Sequence, residues 1–245
     1  MNKNCIEIIF KLNSINTLEI WDFILSNNFL KDEKVILVDK EIKIDKVRSI
    51  IKNKFKYHFG LVCKDIELDY CPLINKKHIL FLISYSENLD IQYWSEIIES
   101  LFSFRQFIQA KISDDKFDYW QNVINTTQYS RVGRDYKELP LVPNDLPPPL
   151  DQMIIDISNN SGRRVIKNGY VEAVSSHMWI GEEFWNVLGC NNESELLKLN
   201  NGINITKENG LIKIVTSDTL YTEEDNDPEV LDLLRKTIFI KTELS

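Results

Sequence analysis

The sequence contains no apolar run long enough to cross a membrane. Its two longest, CIEIIF at 5–10 and HILFLISY at 78–85, are short and carry polar residues, whereas a transmembrane helix needs about 20 predominantly apolar residues in succession. The N-terminus, MNKNCIEIIFKLNS, also lacks the apolar core and small-residue cleavage site of a secretory signal peptide. We therefore expect a cytoplasmic protein with no membrane partner.

Metal-binding spacing is also missing from the sequence. The cysteines form no C-x-x-C pair, and the histidines are far apart along the chain. A zinc site needs closely spaced ligands that can form a tetrahedron. We expect buried, reduced thiols, and we predict no metal and no cofactor. The residues concerned are Cys5, Cys63, Cys71, Cys190, His58, His78 and His177.

The common enzyme motifs are absent as well. The chain has no G-x-x-x-x-G-K-[ST] phosphate loop, no G-x-G-x-x-G and no G-x-S-x-G. An acid–base pair could be built only from His177 with Glu182 or Glu183, which are close in sequence. No residue that would orient such a pair can be named. We therefore predict a protein without catalytic residues, and a small hydrolase that uses His177 is the alternative.

Positive charge is in deficit. Lysine and arginine total 29 against 37 aspartates and glutamates, which gives a net charge of -8. A nucleic-acid-binding protein needs a basic surface that displaces phosphate counterions, so this class is disfavoured. An acidic surface accelerates the approach of a basic protein. The predicted partner class is therefore a basic protein.

Helix and strand signals alternate through the first half of the chain. Asn16 precedes Glu19 by three residues, which is the capping box of a helix start. Apolar residues at 94, 97, 98, 101 and 102 follow the helical period and predict a buried helix face. Further helix caps are predicted at Asp45, Asp90 and Asp114. Strands are predicted at 5–12, 34–39, 60–68, 78–85 and 105–112.

The segment 131–151 has a different character. It holds five of the seven prolines, and because proline fixes φ and lacks an amide donor, an extended or polyproline-like segment is expected. The favoured interpretation is a stiff connector across the surface. The alternative is a recognition ligand for an aromatic-lined groove, and in that case the protein would be a scaffold or adaptor protein.

Hairpin and helix signals return after this segment. Asn209-Gly210 between two apolar segments predicts a tight hairpin, and Asp227-Pro228 predicts the start of a last helix. The whole pattern predicts an α+β fold, with mixed or antiparallel sheets, packed amphipathic helices and two possible subdomains. The predicted ranges are an N-terminal subdomain at 1–130, a connector at 131–151 and a C-terminal subdomain at 152–245.

The stretch GRRVIKNGYVEAVSSHMWIGEEFWNVLG, residues 162–189, is rich in the residue types that perform chemistry. Its order favours a structural role. Asn168-Gly169 is a turn signal, YVEAV is a short strand, and Gly181 followed by two glutamates is typical of a helix start. We therefore expect Trp179 and Trp185 to lie in the core.

The segment SDTLYTEEDNDPE, residues 217–229, concentrates negative charge around Tyr221. One interpretation is a solvated loop followed by a helix start that carboxylates stabilise by up to about 1 kcal/mol each. The other is a recognition loop, in which an exposed tyrosine anchors a partner and the carboxylates steer it. The predicted partner-binding residues are Asp218, Tyr221, Glu223, Glu224, Asp225, Asp227 and, as a second loop tyrosine, Tyr136.

Two segments of the C-terminal half resemble a known family. GRRVIKNGYVEAVSSHMWIGEEFW and NGLIKIVTSDTLYTEEDNDPEVLDLLRK are similar to immunity proteins of bacterial polymorphic toxin systems, of the α+β type often paired with restriction-endonuclease-like toxins. A G-x-x-x-x-V-T-S-D strand exit and a D-N-D-P-E helix start carry most of the likeness. The resemblance implies a cytoplasmic, non-enzymatic inhibitor in interbacterial competition, which binds a cognate toxin and covers its active site.

Overall fold

The backbone of the computed structural model is described for residues 3–27, 34–37, 39–55, 58–64, 66–85, 90–103, 106–200 and 202–240. The strands in chain order are β1 (Asn4–Lys11), β2 (Lys34–Leu37), β3 (Lys40–Lys43), β4 (Phe59–Cys63), β5 (Ile66–Leu73), β6 (His78–Tyr85), β7 (Phe107–Asp114), β8 (Leu141–Pro143), β9 (Met153–Ile155), β10 (Val165–Ile166), β11 (Val171–Glu172), β12 (His177–Ile180), β13 (Asn204–Glu208) and β14 (Leu211–Val215). The α-helices are α1 (Thr17–Ser26), α2 (Ile44–Lys54), α3 (Ile91–Leu101), α4 (Asp115–Asn122), α5 (Thr126–Arg131), α6 (Glu182–Leu188), α7 (Glu193–Leu196) and α8 (Pro228–Phe239).

A ten-stranded sheet organises the described part of the chain. Its strand order is β13-β14-β12-β7-β1-β6-β5-β4-β2-β3, and the strand pairs are antiparallel. The remaining strands form two small hairpins, β8-β9 and β10-β11. The predicted α+β class with antiparallel sheets and packed helices is confirmed.

Both faces of the sheet are covered near its centre. Successive residues of a strand point to opposite sides, so the central strand β1 contributes side chains to both faces. Ile6, Ile8 and Phe10 of β1 pack with Trp21 of α1 and further residues of α2 and α3 on one side. Ile9 points to the other side, where its cluster includes residues of α6 and α8. The two apolar clusters thus share β1 as their central strand.

Strands from both sides of the predicted connector lie in the same sheet. β12 pairs with β7 from His177↔Ile112 to Ile180↔Gln109, and β14 and β13 continue the sheet beyond β12. Gly181 ends β12 at a place where the backbones approach closely, since a Cβ there would lie 2.7 Å from the Phe107 carbonyl oxygen. The predicted ranges 1–130 and 152–245 therefore contribute strands to one sheet.

Most predicted helix caps are confirmed. Asn16 and Glu19 form the complete capping box of α1. Asp90, Asp114 and Asp227 each accept a hydrogen bond from a backbone amide at the start of α3, α4 and α8. These bonds satisfy amides that have no partner within the helix, which is why the signal is readable from sequence.

Two local predictions are wrong. α2 begins one residue before Asp45, with Lys43 at the N-cap position, so Asp45 lies in the first helical turn instead. The predicted single strand 60–68 is two strands, β4 and β5, which pair antiparallel from Phe59↔Tyr70 to Cys63↔Ile66. The chain reverses after Cys63, where Lys64 adopts a φ of 49°, a conformation that suits a tight turn.

A layer of charged side chains lies on the second face of the sheet, and the sequence did not predict it. Glu7 of β1 accepts hydrogen bonds at 2.6 Å from Arg164. Lys111 of β7 forms an ion pair with Asp118 of α4, and Ser113 donates to the same carboxylate at 2.7 Å. Glu7 and Lys111 are buried. Since buried charges are stable only when paired, this layer fixes how α4 and the segment around Arg164 dock on the sheet.

Within the described ranges, every helix is too short or too polar to span a membrane.

Candidate partner-binding surface

The acidic loop, residues 216–227 between β14 and α8, has a folded base. The Thr216 hydroxyl donates to the Tyr221 hydroxyl at 2.8 Å, and the Tyr221 ring lies 6.5 Å from the Phe117 ring. Further along, the Asp225 amide donates to Thr222 Oγ1 at 3.0 Å, and Asn226 Nδ2 donates to the Thr222 carbonyl at 2.8 Å. These bonds close the loop on itself and hold its backbone in one shape.

Tyr221 is buried, so the prediction of an exposed tyrosine anchor is wrong. Its side chain is 6% exposed, and burial raises the pKa of its hydroxyl, which the hydrogen bond from Thr216 partly offsets. The physical reason is that the ring completes the apolar cluster against Phe117 and the hydroxyl has a partner within the loop. Tyr221 therefore supports the loop from below.

Glu223 points inward and is engaged by two cations. Its carboxylate lies 2.5 Å from Arg134 and 3.0 Å from Lys116, with a side chain only 18% exposed. Burial by itself raises the pKa of Glu223, but the hydrogen bonds and charges of Arg134 and Lys116 outweigh it and hold the pKa below its ordinary value. Glu223 therefore fastens the loop to the body of the protein.

The outer carboxylates of the loop remain accessible. Asp218, Glu224 and Asp225 are exposed, and within the part of the chain that the structure describes they form no ion pair. Asp227 is exposed too, and its carboxylate accepts a hydrogen bond at 3.0 Å from the Val230 amide as the cap of α8. The structure thus divides the predicted acidic set into inward supports and outward charges.

Tyr136 lies in a separate small apolar cluster. Its ring is 6.4 Å from that of Tyr129, and it packs with Val123 and Ile155 while remaining partly exposed. Tyr129 in turn contacts Trp120 edge-on at 4.9 Å. Tyr136 therefore helps to hold the β8-β9 hairpin against α4 and α5.

Arg134 joins this cluster to the acidic loop. Its guanidinium carbon lies 3.8 Å from the centre of the Trp120 ring while its nitrogens bind Glu223. Stacking over an aromatic ring and pairing with a carboxylate suit the same planar guanidinium. The hairpin and the acidic loop consequently occupy neighbouring positions on one side of the molecule.

Sequence reasoning missed a set of exposed apolar residues on this hairpin. The prolines of 131–151 indicated a connector, but five large apolar side chains between residues 139 and 153 point to solvent. The alternation of leucine with proline between residues 139 and 150 is the sequence pattern that could have indicated these exposed side chains. The residues are Leu139, Leu141, Leu146, Leu150 and Met153.

Among the described residues, His177 forms no hydrogen bond or ion pair with Glu182 or Glu183, the carboxylates of the alternative hydrolase site. His177 is buried in β12, and its Nδ1 lies 3.1 Å from Ser176 Oγ. Glu183 binds Lys11 at 2.6 Å and Asn186 at 3.2 Å, and Glu182 is exposed. Burial lowers the pKa of His177 to about 4, Lys213 acts in the same direction and Asp218 opposes them. The geometry gives His177 no carboxylate hydrogen-bond partner among the described residues.

This burial predicts a pH dependence of stability. Because the folded-state pKa of about 4 lies below the unfolded value near 6.5, the unfolded chain takes up the proton first. Stability is therefore full above pH 6.5 and is lost as the pH falls through the folded pKa. Between pH 7 and pH 4.5, the free energy of unfolding of the His177→Gln variant should fall by about 2 kcal/mol less than that of the wild type. Urea unfolding at the two pH values measures both losses. Equal losses in the two proteins would contradict this assignment.

Elsewhere in the stretch 162–189, most of the predicted local structure is confirmed. Asn168-Gly169 lies in the turn between β10 and β11, with Gly169 at a φ of 95°. α6 begins at Glu182 after Gly181. Trp179 is fully buried and Trp185 nearly so. The predicted strand YVEAV is shorter than expected, since only Val171 and Glu172 pair.

The described residues contain no group of three or more histidine, cysteine or acidic side chains that could hold a metal ion. The four cysteines are free thiols.

Comparison with known proteins finds similarity at the level of structure. No protein-family model matches the chain, and no curated protein matches it in sequence. Among solved structures, the chain is similar to the Pseudomonas aeruginosa T6SS protein PA0821, with a TM-score of 0.50 and 10% sequence identity. The similarity covers 97% of this chain and 72% of the other. The similarity between the two proteins is therefore one of fold.

Proposed function

We propose that the protein is a non-enzymatic immunity protein, which binds a cognate bacterial toxin domain and neutralises it by covering its active site. The observation that carries the proposal is the acidic loop, whose outward carboxylates Asp218, Glu224 and Asp225 are exposed on a backbone fastened by Tyr221 and Glu223. A fixed array of carboxylates is suited to a basic surface.

The proposed toxin is a basic nuclease. A nuclease domain binds phosphates with lysine and arginine, so a loop that presents several carboxylates can occupy the same site as a nucleic-acid backbone. The net charge of -8 adds long-range attraction that accelerates the encounter. Exposed ion pairs stabilise a complex by only about 0–1 kcal/mol each, so the acidic loop should act mainly on the association rate.

Two further considerations support a role in a toxin system. The similar solved structure is described as a T6SS protein, which is an association with bacterial secretion. The sequence motifs that resemble immunity proteins include the acidic loop and the start of α8. The proposal is thus supported by the loop's charge and rigidity, by the resemblance, and by the shared fold.

The proposal predicts a salt-sensitive association that depends on the outward carboxylates. We expect the triple variant Asp218→Lys, Glu224→Lys, Asp225→Lys to bind a catalytically inactive form of the cognate nuclease toxin domain, to be sought in the adjoining genes, at least about tenfold more slowly at low salt. The dependence of the rate on salt should flatten in the variant. Stopped-flow mixing across a salt series measures both.

The matched control changes the net charge equally at a different place. Asp45, Glu96 and Glu195 are exposed carboxylates outside the acidic loop, and lysine at these three positions gives the same total charge. If the two triple variants associate equally fast, only net charge matters and the loop has no special role. If the wild type does not bind the toxin domain at all, the proposed function is wrong.

A further inference from the structure

The β8-β9 hairpin carries an apolar tip that faces solvent. In the loop between its strands and just beyond, Leu146 is 50% exposed, Leu150 63% and Met153 51%. Leu139 and Leu141 at the start of the hairpin are also exposed. Single exposed apolar residues are common, but a group of them within one short segment marks an interaction surface.

The tip has a defined conformation, and Asn144 sets it. The Asn144 side-chain oxygen accepts from the Leu146 and Gln152 amides at 3.2 Å each, and its Nδ2 donates to the Leu150 carbonyl at 2.8 Å. The Asn144 amide also donates to the Gln152 carbonyl at 3.0 Å. A loop already held in one shape loses less conformational entropy when it binds.

The hairpin is also fixed to the body of the protein. The Ile155 amide donates to the Ile124 carbonyl at 2.8 Å, which joins β9 to the segment between α4 and α5. Within the hairpin, the Asp156 amide donates to the Pro140 carbonyl at 2.8 Å and closes its base. Ile155 itself is buried against Val123 and Tyr129. The apolar tip is therefore presented on a rigid base, and its exposed side chains lie beyond the small cluster that holds the hairpin.

The charge around the tip identifies the kind of partner. Residues 138–153 include three carboxylates, Glu138, Asp145 and Asp151, and no lysine or arginine. All three residues are exposed. The acidic loop lies next to this region through the contacts of Arg134 with Glu223 and Trp120. An apolar centre with an acidic border is complementary to an apolar cleft bordered by basic residues.

We infer that the tip of the hairpin inserts Leu146, Leu150 and Met153 into an apolar cleft on a basic protein partner. The inference rests on the proposed function, because the toxin domain is the partner that the acidic loop would attract. The two regions divide the task. The acidic loop accelerates the encounter, and the apolar tip, once desolvated, slows dissociation.

The inference predicts a large loss of affinity from three surface substitutions. We expect Leu146→Ser, Leu150→Ser, Met153→Ser together to weaken binding to the inactive toxin domain about 100-fold or more, since desolvated apolar anchors dominate interface energies. The loss should appear in the dissociation rate, with the association rate within about threefold of the wild type. Surface plasmon resonance with the immobilised toxin domain measures both rates.

The control removes exposed apolar side chains elsewhere. Ile74, Leu197 and Ile240 are 70%, 40% and 58% exposed, and serine at these positions should leave both rates unchanged. Thermal unfolding verifies that each variant is folded, and Leu150→Ser alone provides a milder version of the test.

Each outcome decides the inference. Unchanged affinity of the tip variant, while the wild type binds, overturns the inference and leaves the proposed function standing. No binding by the wild type removes the proposed function and the inference together. If the wild type is a dimer in sedimentation and the tip variant is a monomer, a second copy of the chain occupies the surface. That result overturns the inference of a basic protein partner.

Discussion

Replacement of Asp118 by alanine is expected to lower the free energy of unfolding by about 3–5 kcal/mol. Asp118 pairs with Lys111, whose side chain is only 4% exposed. Burial by itself lowers the pKa of Lys111, but the charges of Asp118 and Glu7 outweigh it and raise the pKa, so the ammonium stays charged. The variant would leave this charge without its partner in the core.

Two comparison variants isolate the cause. Lys3 and Glu67 form an ion pair at 2.8 Å with both side chains exposed, so Glu67→Ala should cost less than about 1 kcal/mol. The double variant Lys111→Met, Asp118→Leu replaces both charges with apolar groups and should recover most of the lost stability. Guanidinium unfolding gives all three values. A loss below about 1 kcal/mol in Asp118→Ala would mean that the pair does not hold α4 to the sheet.

The local parts of the fold could be predicted because their causes are local. The capping box of Asn16 and Glu19 needs only residues three apart, and the hairpin at Asn209-Gly210 needs only two residues that adopt positive φ. Both are present, with φ values of 50° and 86° in the hairpin turn. The helical period of the apolar residues in α3 likewise predicted which face of that helix is buried.

The order of the strands could not be predicted, because strand pairing is decided by contacts between distant residues. β1 pairs on one side with β6 and on the other with β7, and nothing in the sequence of β1 names these neighbours. The turn that separates β4 from β5 was missed for a different reason. It contains no glycine or proline, so the apolar pattern of 60–68 continued across it.

The buried charges were invisible for the same non-local reason. Glu7 and Arg164 are 157 residues apart in the chain, and their pairing at 2.6 Å depends on the completed fold. Each residue considered alone favours a solvent-exposed position. A charged residue between apolar residues of a strand is the signal that could have indicated a buried pair, and Glu7 in β1 and Lys111 in β7 are such residues.

The candidate surface stays a prediction, and the structure adds the orientation of its residues. The sequence shows the cluster of carboxylates, but it could not say which of them face inward. Glu223 is taken up by Arg134 and Lys116, and Tyr221 by Thr216, and these partners come from elsewhere in the fold or require its loop geometry. The apolar tip of the hairpin was not predicted, because the prolines of this segment favoured its interpretation as a connector.

The proposed surface combines features that act on different steps of binding. The outward carboxylates act at a distance and are weakened by salt, because the Debye length is about 8 Å at physiological ionic strength. The apolar tip acts only in contact and is insensitive to salt. A complex formed in this way should associate quickly and dissociate slowly, which suits an inhibitor that must neutralise a toxin before it acts.

Direct titration of toxin activity gives the most decisive measurement. The cognate toxin domain that the proposed function requires, to be sought in the adjoining genes, is incubated with increasing amounts of the protein, and its cleavage of DNA or RNA is followed. We predict that cleavage falls to background at a one-to-one ratio, because a tightly bound inhibitor that covers the active site blocks every complexed enzyme. Added nucleic acid should raise the amount of protein required, since the two compete for one site. Cleavage that persists in the presence of a severalfold excess of the protein would contradict the proposed function.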